Sequence, residues 1–267
     1  MRYSNYYPSS CLLHVSLPML MGTRMDVLLF GDDRQRLETV WDDAETELRS
    51  LEKMLNRFDP QSEVSTVNNH AQLSKVRLSD ELWNILLECR QYHKRTDGYF
   101  DVTWQDFDKI DFGEGSHDIH FIKQGMFLDF GAYAKGYALK CLRKRLEAAG
   151  IKRALVSFGN SSVLALGAHP HGDSWSVGID DPSNGAVLTT VQLCDAALSV
   201  SGNTPAHPSH IMNPKTSERI TGDRMVAVVA DDPVDADVLS TAWIASGSEV
   251  LPDWMLKFNL KITYNLK

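Results

Sequence analysis

Residues 126–157 read MFLDFGAYAKGYALKCLRKRLEAAGIKRALVS, and the change of pattern inside them decides the class of fold. Residues 126–130 are short and apolar, as a strand is. Residues 132–149 then read as a helix, and Gly150 is well placed to end it, because glycine accepts the left-handed conformation of a helix C-terminus. Residues 151–157 return to a strand. Upstream, residues 25–30 predict a strand before a turn at Gly31-Asp32-Asp33. Residues 35–58 predict a long amphipathic helix carrying Leu37, Val40, Trp41, Ala44, Leu48, Leu51, Met54 and Leu55. Ser79 caps a second helix with Leu82, Trp83, Ile85, Leu86 and Cys89, which stops near Thr96-Asp97-Gly98. The acidic, aromatic stretch 101–115 reads as a loop. Downstream, short β-like runs at 163–166, 174–179, 187–193 and 197–200 are separated by Gly, Pro, Asn and Asp. Residues 225–230 form a continuous apolar strand, Asp232-Pro233 opens a helix running to about Ser246, and residues 257–266 close the sheet. The reading is α+β: a mixed sheet core with flanking helices, in one compact unit.

The chain has 267 residues, and at roughly 150 residues per domain this predicts one large domain or a core with an inserted subdomain. With 27 Lys+Arg against 35 Asp+Glu, the net charge of −8 provides no basic field to hold nucleic acid. The one basic run, Arg143-Lys144-Arg145, lies on a predicted helix and reads as a solvated face. Four dispersed cysteines (Cys11, Cys89, Cys141, Cys194) form no CxxC or zinc spacing, which fits a reducing, cytoplasmic compartment. No apolar run approaches the ~20 residues of a transmembrane helix. The run from Cys11 to Met21 is interrupted by His14, Ser16 and Pro18 and lacks the small-residue cleavage site of a signal peptide.

Several familiar motifs fail on spacing. In Gly131-Ala-Tyr-Ala-Lys135-Gly136 the lysine precedes the second glycine, so it is not a P-loop. Asp106, Asp108 and Asp111 lack the EF-hand spacing, and the pairs His207/His210 and His117/His120 lack a third zinc ligand. Four features remain. Asp237 and Thr241 stand at i and i+4 on one predicted helix face, a hard-oxygen pair suited to Mg²⁺. On spacing alone, acidic residues that merely favour the helix dipole are the commoner case. Lys135, between Gly131 and Gly136 near a helix start, suits a phosphate, or is a surface lysine beside packing glycines. His210, in the loop Pro208-Ser-His-Ile-Met-Asn-Pro214, is available as a general base or is an ordinary exposed histidine. Thr96-Asp-Gly-Tyr-Phe-Asp101 places aromatic faces beside a carboxylate, either to hold a planar ring or as a turn with core anchors.

In order along the chain, seven segments resemble the ApbE family, the FAD:protein FMN transferases. They are Met21-Gly-Thr23, residues 58–68 (FDPQSEVSTVN), 96–103 (TDGYFDVT), 128–138 (LDFGAYAKGYA), 200–203 (VSGN), 210–216 (HIMNPKT) and 235–242 (DADVLSTA). The resemblance runs from about residue 21 to residue 247. It implies an ApbE-like fold related to the T-fold, with an inserted smaller α/β subdomain. The division would be residues 1–20 as an N-terminal extension and 21–267 as a single catalytic domain. It implies Mg²⁺-dependent transfer of FMN from FAD to a Ser or Thr hydroxyl of an acceptor flavoprotein carrying an Asp-Gly-x-Ser/Thr-like site, with release of AMP. Carried over by position, Asp237, Thr241 and the carbonyl of Ala132 would hold Mg²⁺. Asp129 and Lys135 would contact FAD, while Met21, Phe58, Tyr99, Phe100 and Asp101 would line its rings and ribose. His210 would accept the acceptor's proton, and Ile211 would adjoin the flavin. Three positions depart from the family pattern: Asn213 and Asn203 where Asp is common, and Asn160 where a second Gly follows Gly159. Two further readings share these residues, a Mg²⁺-dependent FAD pyrophosphatase and a flavin-binding protein without catalysis.

Overall fold

The computed structural model, which describes residues 2–203 and 209–266, opens on a hairpin whose second strand alternates buried and more exposed residues from Leu12 to Pro18. Strand β1 (Tyr3–Tyr7) pairs antiparallel with β2 (Leu12–Leu20), where Leu13, Val15, Leu17 and Leu20 are fully buried. His14, Ser16 and Pro18, which interrupt the apolar run in the sequence, are the opposite face of that strand. Residues 3–20, within the stretch set apart above as an extension, supply two sheet strands. A turn through Met21 and Gly22 leads to β3 (Thr23–Phe30), and Asp33 then caps α1 (Arg34–Leu55) by accepting the Arg36 N–H. The chain next makes α2 (Glu63–His70), β4 (Val76–Arg77), α3 (Asp80–Arg95, capped by Ser79), β5 (Ile110–Gly113) and β6 (Asp118–Phe121). It continues through α4 (Ala134–Ala148), β7 (Ala154–Phe158), β8 (Ser162–Leu166), β9 (Trp175–Asp180), β10 (Val187–Leu193) and β11 (Ala196–Gly202). Strand β12 (Met225–Ala230), α5 (Pro233–Ser246) and β13 (Leu260–Leu266) complete it.

The main sheet has the order β1-β2-β3-β7-β8-β11-β12-β13, and among the described residues every pairing in it is antiparallel, not mixed in direction. Hairpins β1-β2-β3 and β7-β8 impose that direction on the strands they join, and β12 pairs antiparallel with β11 after the connection formed by residues 203–224. One face is covered by α1, α4 and α5, with Trp41, Leu48, Leu139 and Leu142 packed on Val27, Val156 and Phe158. The β9–β10 hairpin covers the other, setting Trp175, Ile179 and Val191 against Leu198, Ala227 and Val229. Strand β12 lies between these layers and between two strands, so all six of its residues are buried, which explains its unbroken apolar sequence.

The insert between α1 and α4 builds the small sheet β4-β6-β5 with α2 and α3. Its core residues Leu82, Leu86, Ile119 and Phe121 belong to the same cluster as Val228 of β12 and Val234 and Val238 of α5. Two local expectations are corrected. Residues 101–115, read as a loop, contain a 3₁₀ turn (Phe107–Lys109) and β5. Residues 126–130 are not a strand, because the Asn68 side chain takes the place of a neighbouring strand. Its Oδ1 accepts the Leu128 N–H at 2.7 Å and its Nδ2 donates to the Leu128 carbonyl at 3.0 Å. All four cysteines are free. Among the described residues no helix is long and apolar enough to cross a membrane.

Candidate active site

Gly136 makes the site possible. An added Cβ there would lie 2.7 Å from the Pro233 carbonyl oxygen, 2.8 Å from Asp237 Cβ and 3.0 Å from Val234 Cα, so only glycine lets α4 approach α5 this closely. The Gly136 N–H donates to Asp237 Oδ2 at 2.8 Å, and the Ser199 hydroxyl on β11 donates to Asp237 Oδ1 at 3.0 Å. Asp237 is only 3% exposed, and both its oxygens are held. One helical turn on, Thr241 Oγ1 lies 3.0 Å from Ser201 Oγ. Ser201 Oγ is also 2.8 Å from Ser240 Oγ, which donates to the Asp237 carbonyl at 3.1 Å. Lys135, at the start of α4, donates to Ser161 Oγ at 2.5 Å, which joins α4 to the β7–β8 turn. Thr23 packs beneath that turn at Gly159, and the Gly159 N–H donates to the Arg24 carbonyl, so the turn that contains Met21 adjoins it. The Met21 N–H itself donates to Glu52 Oε1 at 2.6 Å.

A second group of residues gathers around Arg57. Its Nε is 3.0 Å from Asp129 Oδ2, and its guanidinium lies 4.5 Å from the Phe58 ring centroid, 5.3 Å from Phe127 and 5.7 Å from Trp104. Asp129 Oδ1 also accepts the Gly131 N–H, which shapes the turn before α4. Phe58 is 80% exposed, an aromatic face open to a ring-bearing ligand. The run 99–101 divides. Tyr99 is half-buried, with Lys215 Nζ 4.1 Å above its ring. Phe100, at 2% exposure, is a core residue beside Tyr92 and Tyr133 and so backs the site without lining it. The Asp101 carboxylate turns inward to accept from the Thr103 N–H and hydroxyl, each at 2.7 Å. Burial pushes its pKa up, and those two hydrogen bonds oppose the shift.

The loop that bears His210 is tied to the same end of the sheet. Asn203, just after β11, donates through Nδ2 to the carbonyls of Ile220 at 3.0 Å and Gly222 at 2.9 Å, which an aspartate could not do. Ile220 in turn donates its N–H to Ile211, which is buried, while His210 is exposed. His207 lies outside the described residues. The other departures also have local reasons. Asn160 sits at φ 56°, a left-handed conformation that asparagine tolerates better than most residues. Asn213 Oδ1 accepts the Lys215 N–H in a turn.

Ser199, Ser201, Ser240, Ser161, Arg57 and Trp104 were not singled out from the sequence. Ser-Val-Ser inside an apolar strand was the available signal for the first two, since residues two apart share a face. No group of three or more His, Cys, Asp or Glu able to hold a metal occurs among the described residues. Asp237 and Thr241 bring hard oxygens to successive turns of α5, a donor type that suits Mg²⁺, and the Ala132 carbonyl is the third ligand that the resemblance implies. Ser162, paired with Ser199 across β8 and β11, has a buried hydroxyl without a partner, which fits a hydrated polar site.

These features define an α+β protein that gathers a lysine, a clamped aspartate and several hydroxyls at a helix N-terminus, a setting for phosphate chemistry. The ApbE family model matches residues 21–117 and 105–263, and the chain belongs to that family. The Escherichia coli (strain K12) FAD:protein FMN transferase is 23% identical over 271 residues, covering 86% of this chain and 77% of its own length. The Rhodobacter capsulatus FAD:protein FMN transferase is 37% identical over 135 residues, 48% of this chain, and the match spans only 25% of that relative. The ApbE protein of Thermotoga maritima superposes with a TM-score of 0.80 at 20% identity, covering 92% of this chain and 89% of that one. The flavinyl transferase ApbE of Pseudomonas stutzeri gives 0.73 at 23% identity, covering 86% and 83%. At these identities the two structures speak to the fold.

Proposed function

We propose that this protein transfers FMN from FAD to a Ser or Thr hydroxyl of an acceptor flavoprotein with an Asp-Gly-x-Ser/Thr-like site, releasing AMP, with Mg²⁺ as cofactor. The observation that carries the reading is Asp237, clamped on both oxygens between α4 and β11 and set one residue along α4 from Lys135 by the Gly136 contact. The acceptor oxygen forms a bond to the phosphorus of the FMN half as the bond from that phosphorus to the bridging oxygen breaks, and AMP leaves with the electron pair. His210 takes the acceptor hydroxyl's proton, since a hydroxyl is a weak nucleophile without a base. Lys135 exchanges its bond to Ser161 for a phosphate oxygen and steadies the charge that develops there. Mg²⁺ bound by Asp237, Thr241 and the Ala132 carbonyl would supply further charge neutralisation to the pyrophosphate. Phe58, Tyr99 and Met21 line the flavin and adenine rings, Arg57 braces Asp129 against the ligand, and Ile211 adjoins the flavin.

Release of AMP from FAD by Asp237→Ala tests the assignment. The variant should lose Mg²⁺-dependent release by at least ~100-fold, in line with removing a preorganised electrostatic group. A wild-type rate would take Asp237 out of the chemistry.

A further inference from the structure

Strand β11 and helix α5 match in repeat. Two strand residues advance ~6.6 Å and four helix residues ~6.0 Å, so Ser199 and Ser201 can meet Asp237 and Thr241 as successive rungs. Both contacts are made, at 3.0 Å each. We propose that Ser199 and Ser201 are positioning residues for the cation site, the first fixing the Asp237 carboxylate and the second fixing the direction of the Thr241 hydroxyl proton. The proposal rests on the Mg²⁺-dependent reading above.

Proton counting gives the direction. A serine or threonine hydroxyl has one proton to donate. Ser240 gives its proton toward the Asp237 carbonyl at 3.1 Å or Ser199 Oγ at 3.3 Å. With the Ser240 proton there, its 2.8 Å contact with Ser201, in which either oxygen can donate, takes the proton of Ser201. In that arrangement the 3.0 Å contact between Ser201 and Thr241 takes the proton of Thr241. Thr241 Oγ1 is left with lone pairs alone facing away from the strand, the state a hydroxyl needs to ligate a cation. At the other rung, the Ser199 hydroxyl and the Gly136 N–H each occupy one carboxylate oxygen of Asp237, and each oxygen keeps capacity for a cation. Without Ser201 the Thr241 hydroxyl is free to rotate its proton into the space the ion would take. Partners that orient metal ligands in this way are typically worth a factor of 10–100 in metal affinity.

The test is a Mn²⁺ titration of the full chain followed by electron paramagnetic resonance, with Mn²⁺ standing in for Mg²⁺. Ser201→Thr and Ser201→Val share a shape and differ in the hydroxyl, so a packing effect moves both and a proton-directing effect moves only the second. Ser201→Val should weaken Mn²⁺ about 10- to 100-fold, while Ser201→Thr stays near wild type. Ser199→Ala should weaken Mn²⁺ as well. In a Thr241→Val background, Ser201→Val should add nothing further, because the hydroxyl it directs is gone. Equal Mn²⁺ affinity of Ser201→Thr and Ser201→Val, or full additivity with Thr241→Val, would overturn the proposal. Asp237→Ala separates the two levels. If it abolishes Mn²⁺ binding while the serine variants bind normally, only the positioning role falls, and if it too binds normally, the metal site itself falls.

Discussion

Alanine at position 136 puts helix propensity and packing in direct opposition. In an isolated helix, Gly→Ala would stabilise α4 by ~1 kcal/mol. Here the new methyl would meet backbone atoms of the first turn of α5, the nearest at 2.7 Å, whereas ordinary van der Waals contact begins at 3.4 Å, so the two helices must part by about 0.7 Å. Overpacking of that kind costs ~1–3 kcal/mol, which leaves a net loss of about 0–2 kcal/mol after the propensity gain. The functional loss should be larger. The same parting takes the Gly136 N–H from 2.8 Å to about 3.5 Å from Asp237 Oδ2, beyond a useful hydrogen bond. A hydrogen bond to a charged group contributes ~1.5–3 kcal/mol, so AMP release should fall about 10- to 100-fold. Urea denaturation and AMP release at saturating FAD read the two effects separately. A variant ~1 kcal/mol more stable than wild type, with undiminished turnover, would refute the close-packing argument.

Three further outcomes are expected. His210→Ala should slow transfer by ~10²–10⁴ with little change in FAD affinity, and a large loss of affinity measured by flavin fluorescence would assign His210 to binding. Asn68→Ala leaves both backbone groups of Leu128 without their partner; it should destabilise the fold by ~1–3 kcal/mol in denaturant melts, and an unchanged midpoint would show that the amide does not act as a surrogate strand. Asp235 has its pKa raised by burial, against the opposing hydrogen bond from the Tyr92 hydroxyl at 2.7 Å. Its raised pKa favours the folded state fully below the ordinary carboxylate value of ~3.9, and that contribution is lost as pH rises through the folded-state pKa. Tyr92→Phe removes the donor to the ionised form, so its destabilisation should be greater at pH 7 than at pH 4, and equal loss at both would contradict a buried Asp235 charge.

What the sequence made legible follows from local physics. Helix α5 was readable because Asp232 caps it, accepting the Val234 N–H at 2.9 Å, and Gly247 ends it at φ 69°. Strand β12 was readable because two covered faces demand an unbroken apolar run. Strand β2 was not, because its polar residues at alternate positions look like interruptions until the buried partners Leu13, Val15 and Leu17 are seen to share a face. Residues 126–130 have strand composition but take their hydrogen bonds from a side chain 60 residues away, which no local pattern reveals. In the site, Asp237, Thr241, Lys135 and His210 stood out by residue type and motif. Ser199 and Ser201 did not, because serine in a strand gains meaning only from the helix laid across it. Phe100 and Asp101 share a motif with Tyr99, yet the tight turn after α3 sends the first into the core and the second into the loop's own hydrogen bonds.

The most direct measurement is the intact mass of a small acceptor domain bearing an Asp-Gly-x-Ser/Thr site, after incubation with this protein, FAD and Mg²⁺, with AMP read in the same mixture and EDTA as control. An FMN increment on the acceptor with matching AMP, both lost with EDTA, is expected. AMP and free FMN with an unmodified acceptor, or no AMP at all, would contradict a protein-directed flavin transferase.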